Sequence, residues 1–323
     1  ASKKLISARD HSYHGSTYAA MSAGKRPGDH VPEFQYMNDI FHHISCPNPY
    51  RPPEGMEEGD LTELLVKEFE DTIERLGSNN IGGFLAEPIQ ASGGVIIPPD
   101  SYLRRIREVC KTHNILFVAD EVVTAFGRLG HWFASEDEFG MIPDIICSAK
   151  GLSSGYLPIG AMIYSSEVHE VISQSESGYF TSGFTYAGHP VSCAAALKNI
   201  EIMEREDILK NAHDVGLYFE NKLSTLNDLP LVGNVRGKKM MMCVENVANK
   251  ETKELLPDEL NVGKLISNKA EELGLLVRPL GHLNVMSPAL NITTEDIDFI
   301  VLNLKKSIVS VTDSLVRSGH KVS

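Results

Sequence analysis

Apolar residues along this chain fall into short unbroken runs that alternate with stretches of helical spacing. Ile81-Gly82-Gly83-Phe84-Leu85-Ala86 and Ile115-Leu116-Phe117-Val118-Ala119 are continuous runs of strand length. Leu5 to Ala8, Asp144 to Cys147 and Ile159 to Tyr164 read the same way. Between them Leu61, Leu64, Leu65, Phe69, Ile73 and Leu76 recur mostly at i, i+3, i+4, which predicts an amphipathic helix from Asp60 to Leu76. Asp60 with Glu63 three residues on resembles a capping box with Asp in place of Ser or Thr. Asp100 is expected to cap a helix carrying Leu103, Ile106 and Val109. Strands without polar alternation are buried on both faces, so this pattern predicts an α/β architecture: a parallel sheet between helices.

The polar turn from Asp10 to Thr17 opens a short helix through Ala19, Ala20 and Met21. Gly24 to Tyr50 reads as irregular, and a long loop in a compact domain is usually functional or packed on a partner. His189 to Glu206 is a long helix with Pro190 suited to its first turn. The domain change is placed there, with residues 1–195 as the large domain and 196–323 as a smaller α+β domain. The latter is expected to hold helices over 212–226, 262–273 and 294–316, with strands over 232–235, 239–244 and 275–278.

With 323 residues, 42% of them hydrophobic and 23% charged, the chain has ordinary globular composition and room for two domains. The formal net charge of −13 is spread along the chain, which argues against nucleic acid and anionic membrane surfaces as partners. No apolar run reaches the ~18 residues of a transmembrane helix. Cys46, Cys110, Cys147, Cys193 and Cys243 are an odd set without CxxC spacing, read as reduced thiols of a cytoplasmic protein. No Cys or carboxylate stands at ligand spacing from His30, His42 or His43, so no metal is expected.

Three of the apolar runs end in ionisable residues: Glu87 after Ala86, Asp120 after Ala119, and Lys150 after Ser148-Ala149. Open α/β sheets bind ligands outside the carboxyl ends of their strands, so two carboxylates and a lysine are expected to share one crevice. Pyridoxal 5'-phosphate (PLP) requires such a set, because its aldehyde takes a lysine and its ring nitrogen needs a carboxylate to stay protonated. Asp120 is the natural partner of that nitrogen. Lys150, at the mouth of an apolar strand, is expected to be partly desolvated and nucleophilic. Val122 is placed for one face of the ring and Tyr13 for the other. Thr185, in a turn before a helix, is suited to a phosphate.

Asp120-Glu121-Val122-Val123-Thr124-Ala125-Phe126-Gly127-Arg128, with Ser148-Ala149-Lys150-Gly151 downstream, resembles the class III (omega) aminotransferases of PLP fold type I. Tyr13-His14-Gly15, Glu87-Pro88-Ile89-Gln90 and Thr185-Tyr186-Ala187-Gly188-His189-Pro190 carry the same resemblance, in order and nearly end to end. It implies Lys150 as the Schiff-base lysine and Asp120 as the ring-nitrogen partner. It implies a cofactor site that also includes Tyr13, His14, Gly15, Glu87 and Val122. Thr185 is implied to reach the cofactor phosphate of the other subunit of a homodimer. Arg278-Pro279-Leu280-Gly281, followed by Val285-Met286-Ser287-Pro288, is similar to the segment of amine:pyruvate omega-transaminases that carries a mobile arginine. Arg278 is therefore expected to pair with the carboxylate of pyruvate or alanine, which a guanidinium fork suits.

The resemblance also implies roughly a hundred further residues on the N-terminal side. These would include the Gly-Ser turn that cradles the phosphate, so the chain is expected to be N-terminally truncated. The implied reaction moves an amino group from an omega-amine or amino acid to an oxo acid, with Lys150 carrying the proton. Taurine, β-alanine, aliphatic diamines and aryl-alkyl amines all remain open as donors. A phospho-lyase, racemase, aminomutase or decarboxylase on the same fold stays open too, because fold does not fix function. So does a non-catalytic remnant that serves as a dimerisation module.

Overall fold

The computed structural model describes residues 3–53, 61–174, 176, 180 and 182–323. They form two compact units. The first comprises residues 1–93, 97–126 and 131–206, and the second comprises 94–96, 127–130 and 207–323. The division thus follows the end of helix α6 (Pro190–Arg205), whereas the sequence reading cuts that helix after residue 195. The expected cap at Asp60 lies outside the described residues.

The first unit is built on a six-stranded sheet. Its strands are β1 (Leu5–Arg9), β2 (Phe41–Ile44), β3 (Ile81–Ala86), β4 (Leu116–Asp120), β5 (Ile145–Ser148) and β6 (Ala161–Tyr164). Their order is β2-β1-β3-β4-β5-β6. All neighbours run parallel except β6, which is antiparallel to β5. The sheet is therefore mostly parallel, as the continuous apolar runs imply. Phe84 of β3 and Phe117 of β4 are fully buried with ring centroids 5.5 Å apart. Phe69 of α2 (Leu61–Leu76) packs on Phe84 at 4.9 Å. Burying such a side chain is worth about 1.5–3 kcal/mol, which makes this stack a main anchor of helix to sheet.

Burial on both faces does not extend across the whole sheet. In β6, Met162, Ile163 and Tyr164 are exposed. The strand stands at the sheet's edge, so among the described residues β5 is its only strand neighbour. Two more elements depart from the pattern. Residues 24–50 contain β2, which the polar pair His42-His43 conceals from a search for apolar runs. Helix α5 (Ser166–Ser173) fully buries no residue, and its apolar stripe is only Val168, Val171 and Ile172, too short to stand out in the sequence. Helix α3 (Tyr102–Thr112) starts beyond Asp100, and its N-cap position is Ser101, which makes no side-chain capping bond. The fully buried Tyr102 supplies packing at that end instead. Between the first two strands lies α1 (Tyr18–Ala23), and after β4 comes the one-turn α4 (Ala134–Asp137).

The second unit has the antiparallel order β7-β8-β10-β9, with β7 (Val232–Lys238), β8 (Met241–Asn246), β9 (Arg278–Leu280) and β10 (Leu283–Met286). The sequence places a strand at 275–278, but Leu275 and Val277 are buried in the core and the ladder starts at Arg278. Pro279 cannot donate to a ladder and accordingly sits on an edge strand. Helices α7 (Ile208–Ser224), α8 (Val262–Glu272) and α9 (Thr294–Arg317) bury Phe219, Ile266, Val301, Leu304 and Ile308 in the same core. Among the described residues no helix is long and apolar enough to cross a membrane.

Candidate active site

The strand order sets the site. β3, β4 and β5 are consecutive neighbours, so Glu87, Asp120 and Lys150 follow from three adjacent carboxyl ends. Ala86 lies opposite Ala119, and Asp120 lies opposite Cys147. Asp120 is itself the last ladder residue of β4 and is buried. One of its oxygens, Oδ1, accepts the Val122 N–H at 3.1 Å. The other, Oδ2, is 2.7 Å from His14 Nδ1. The His14 side chain is only 3% exposed, and its Nε2 is buried with no hydrogen-bond partner among the described residues.

Glu87 is buried as well. Its two oxygens accept the Tyr13 N–H at 3.1 Å and the Ala91 N–H at 3.0 Å. Burial raises its pKa above the usual carboxylate value, and the charge of Asp120 adds to that, while His14, the Tyr13 amide and Arg9 oppose it. Glu87 thus joins the turn after β3 to the turn after β1, and places Tyr13 and His14 beside Asp120. Arg9 is fully buried behind it and donates from Nη2 to the Glu87 carbonyl. Sequence reading misses Arg9, since a lone arginine at a strand end reads as a surface residue. Its position just before the Asp10 turn is the one available signal.

Tyr13, His14, Glu87, Asp120 and Val122 are therefore brought together. The Tyr13 ring carries the Arg26 guanidinium over one face at 5.1 Å, and its hydroxyl is 3.1 Å from Ser16 Oγ. Gly15 has φ of 128°, and a Cβ there would lie 3.2 Å from Ala20 Cβ, so the turn into α1 requires glycine.

Lys150 differs from expectation. It opens a single 3₁₀ turn, has φ of 27°, and its side chain is exposed rather than partly desolvated. The cause is local: β5 is only half-buried, and the turn carries Lys150 beyond the ladder that shields Asp120. Just before it, Ser148 Oγ is buried and unpartnered among the described residues. Cys147 has its thiol pushed up to about 11 by burial and by the nearby Asp120 charge, so it is no nucleophile at neutral pH.

Thr185 is exposed on the turn before α6, and the described residues give it no side-chain hydrogen bond. The same turn lines a cavity of about 1080 Å³ with Ser148, Gly160, Tyr186, His189 and Ser192. Arg278 belongs to the second unit. It is exposed at the start of β9 and lines a cavity of about 360 Å³ whose other walls include Val277, Met286 and Ile300.

The donor set suits a pyridine ring. A buried carboxylate at a strand end, held at both oxygens, can keep a proton on a ring nitrogen. Residues 1–308 match the family model described as aminotransferase class-III. The chain belongs to the class III aminotransferase family. It is 38% identical to the putrescine–pyruvate aminotransferase of Pseudomonas aeruginosa, over 95% of this chain and 66% of that protein. It is 37% identical to the chloroplastic gamma aminobutyrate transaminase 3 of Solanum lycopersicum, over 95% and 59% respectively. Among solved structures it resembles an amine transaminase from an uncultivated Pseudomonas species in its PLP-bound form. That match has 35% identity and a TM-score of 0.90, covering 96% of this chain and 70% of the other. The chain spans 58–69% of the length of the curated relatives it matches.

Proposed function

We propose that this chain is the catalytic body of a PLP-dependent aminotransferase that passes an amino group from an amine or omega-amino acid to an oxo acid. The observation that carries the reading is the Asp120 carboxylate, buried at a strand end and fixed by His14 and Val122, with Lys150 following from the neighbouring strand. When bound, PLP supplies the aldehyde that captures the amine and the ring that withdraws electrons from its Cα. Asp120 holds a proton at the ring nitrogen and so sustains that withdrawal. Val122 and Tyr13 flank the ring. With PLP bound, the Lys150 Nζ would take the proton from the substrate Cα and hand it back on the cofactor side.

Arg278 recognises the acceptor's carboxylate through its guanidinium fork, and pyruvate is the proposed acceptor. The printed name of the Pseudomonas aeruginosa relative, a putrescine–pyruvate aminotransferase, supports this choice. The working form is proposed to be a homodimer in which Thr185 meets the partner's cofactor phosphate. Support comes from Phe184, Tyr186, Val191 and Leu197, large apolar side chains exposed around that turn and along α6. A reducing, cytoplasmic setting fits five free cysteines, three of them buried.

The test is turnover of an amine panel with pyruvate or 2-oxoglutarate, in the full-length protein and in Lys150→Ala. The reading expects amine consumption that depends on the oxo acid and is lost in the variant. Full turnover in Lys150→Ala would falsify it, and amine consumption without an acceptor would favour a lyase or decarboxylase instead.

A further inference from the structure

Glu121 stands between Asp120 and Val122 in sequence, yet its carboxylate takes a separate set of partners from that of Asp120. Its carboxylate is fully buried and takes four hydrogen bonds. The donors are Ala134 N–H at 2.7 Å, Ser135 N–H at 2.8 Å, Ser135 Oγ at 2.6 Å and Thr124 Oγ1 at 3.0 Å. An ionised carboxylate has about four acceptor sites, so this one is saturated. A charge buried this deeply persists only when it is bonded in this way. The backbone is pinned too, since the Glu121 N–H donates to the Cys147 carbonyl at 2.8 Å, at the end of the strand that leads to Lys150.

Residue 121 is thus fixed from two sides, by β5 through its amide and by the start of α4 through its carboxylate. The next amide in the chain is that of Val122, and it is the donor to Asp120 Oδ1. Thr124, bonded to the same carboxylate, closes the turn on the far side of Val122. We propose that Glu121 is a positioning residue for the cofactor's ring nitrogen: it fixes the Val122 amide, which aims the Asp120 carboxylate. This inference rests on the PLP reading above.

The effect should reach only ligands that have a ring nitrogen for Asp120 to meet. Glu121→Gln keeps the volume, but its NH₂ turns toward the N–H of Ala134 or Ser135, so the turn must shift. Thr124→Val removes one bond and leaves the charge in place. PLP and a carbocyclic analogue lacking the ring nitrogen are titrated into the cofactor-free full-length protein and both variants, followed by absorbance. Unfolding temperature without cofactor is measured alongside.

The expected result is a rise in the PLP dissociation constant of roughly tenfold to a hundredfold in Glu121→Gln and about threefold in Thr124→Val, with the analogue's nearly unchanged. Equal losses for both ligands, or no loss, overturn the proposal. If Glu121→Gln does not fold, Thr124→Val decides by the same comparison. An unsubstituted protein that binds PLP no better than the analogue would instead sink the role given to Asp120, and the Glu121 proposal with it.

Discussion

His14 Nδ1 and Asp120 Oδ2 lie 2.7 Å apart, with side chains only 3% and 9% exposed, although 106 residues separate them in sequence. The contact spans two strand boundaries, because His14 follows β1, Asp120 ends β4, and β3 lies between those strands. A buried carboxylate that loses one partner keeps its desolvation penalty, on the order of 1–3 kcal/mol. His14→Ala should therefore leave Asp120 held by the Val122 amide alone. The PLP dissociation constant is expected to rise roughly tenfold, since each 1.4 kcal/mol is a factor of ten. An absorbance titration that returns the same constant for both proteins would remove His14 from the site's working parts.

Glu87 makes folding stability depend on pH. Burial raises its folded-state pKa, so the native state holds this proton more tightly than the unfolded chain. Below the unfolded value, about 4.3, its contribution is fully present. As pH climbs from there through the folded value, the unfolded state releases the proton first and the contribution is lost. Glu87→Gln does not titrate. Stability of the variant minus that of the unsubstituted protein should increase over this window, read from urea midpoints at successive pH values. A difference that stays level with pH would show that burial does not set the Glu87 proton affinity.

Much of this arrangement could be read in the sequence, for identifiable reasons. β3 and β4 are continuous apolar runs, so the strands and the carboxylates that end them are both legible. β2 is concealed by His42-His43, and α5 by its length of eight residues with only Val168, Val171 and Ile172 as apolar signal. Asp120 could be assigned a role from its place at a strand end, but its pairing with His14 depends on strand order, which no local pattern encodes. The exposure of Lys150 follows from the positive-φ turn after β5, which the apolar run before it does not encode. Glu121 shares a motif with Asp120, and the fold shows which separate partners each carboxylate takes.

Gly93 allows the turn after β3 to lie against the turn after β1. A Cβ at this position would come within 2.4 Å of the His11 carbonyl oxygen, which is backbone and has little room to yield. Gly93→Ala should force the two turns apart, at a cost of about 1–3 kcal/mol typical of overpacking. Glu87 bonds both turns through Tyr13 N–H and Ala91 N–H, so the same variant should weaken PLP binding. Thermal unfolding and cofactor titration on one preparation check both effects. An unchanged melting temperature would mean that the turns separate freely.

The last helix offers a test confined to the second unit. Thr293 and Asp296 form a reciprocal capping box at the start of α9. Asp296 N–H donates to Thr293 Oγ1 at 3.3 Å, and Thr293 N–H donates to Asp296 Oδ2 at 3.1 Å. Behind the cap, Ile297, Val301, Leu304 and Ile308 enter the core at helical spacing, so fraying of the first turn would loosen Ile297 first. Thr293→Ala removes the hydroxyl and should cost about 1 kcal/mol. Thr293→Ser keeps the hydroxyl and should recover most of it. The site residues from Tyr13 to Lys150 lie in the first unit, so PLP affinity should be the same in all three proteins while the unfolding midpoint moves. If PLP affinity fell together with stability in Thr293→Ala, the two units would not be energetically separable.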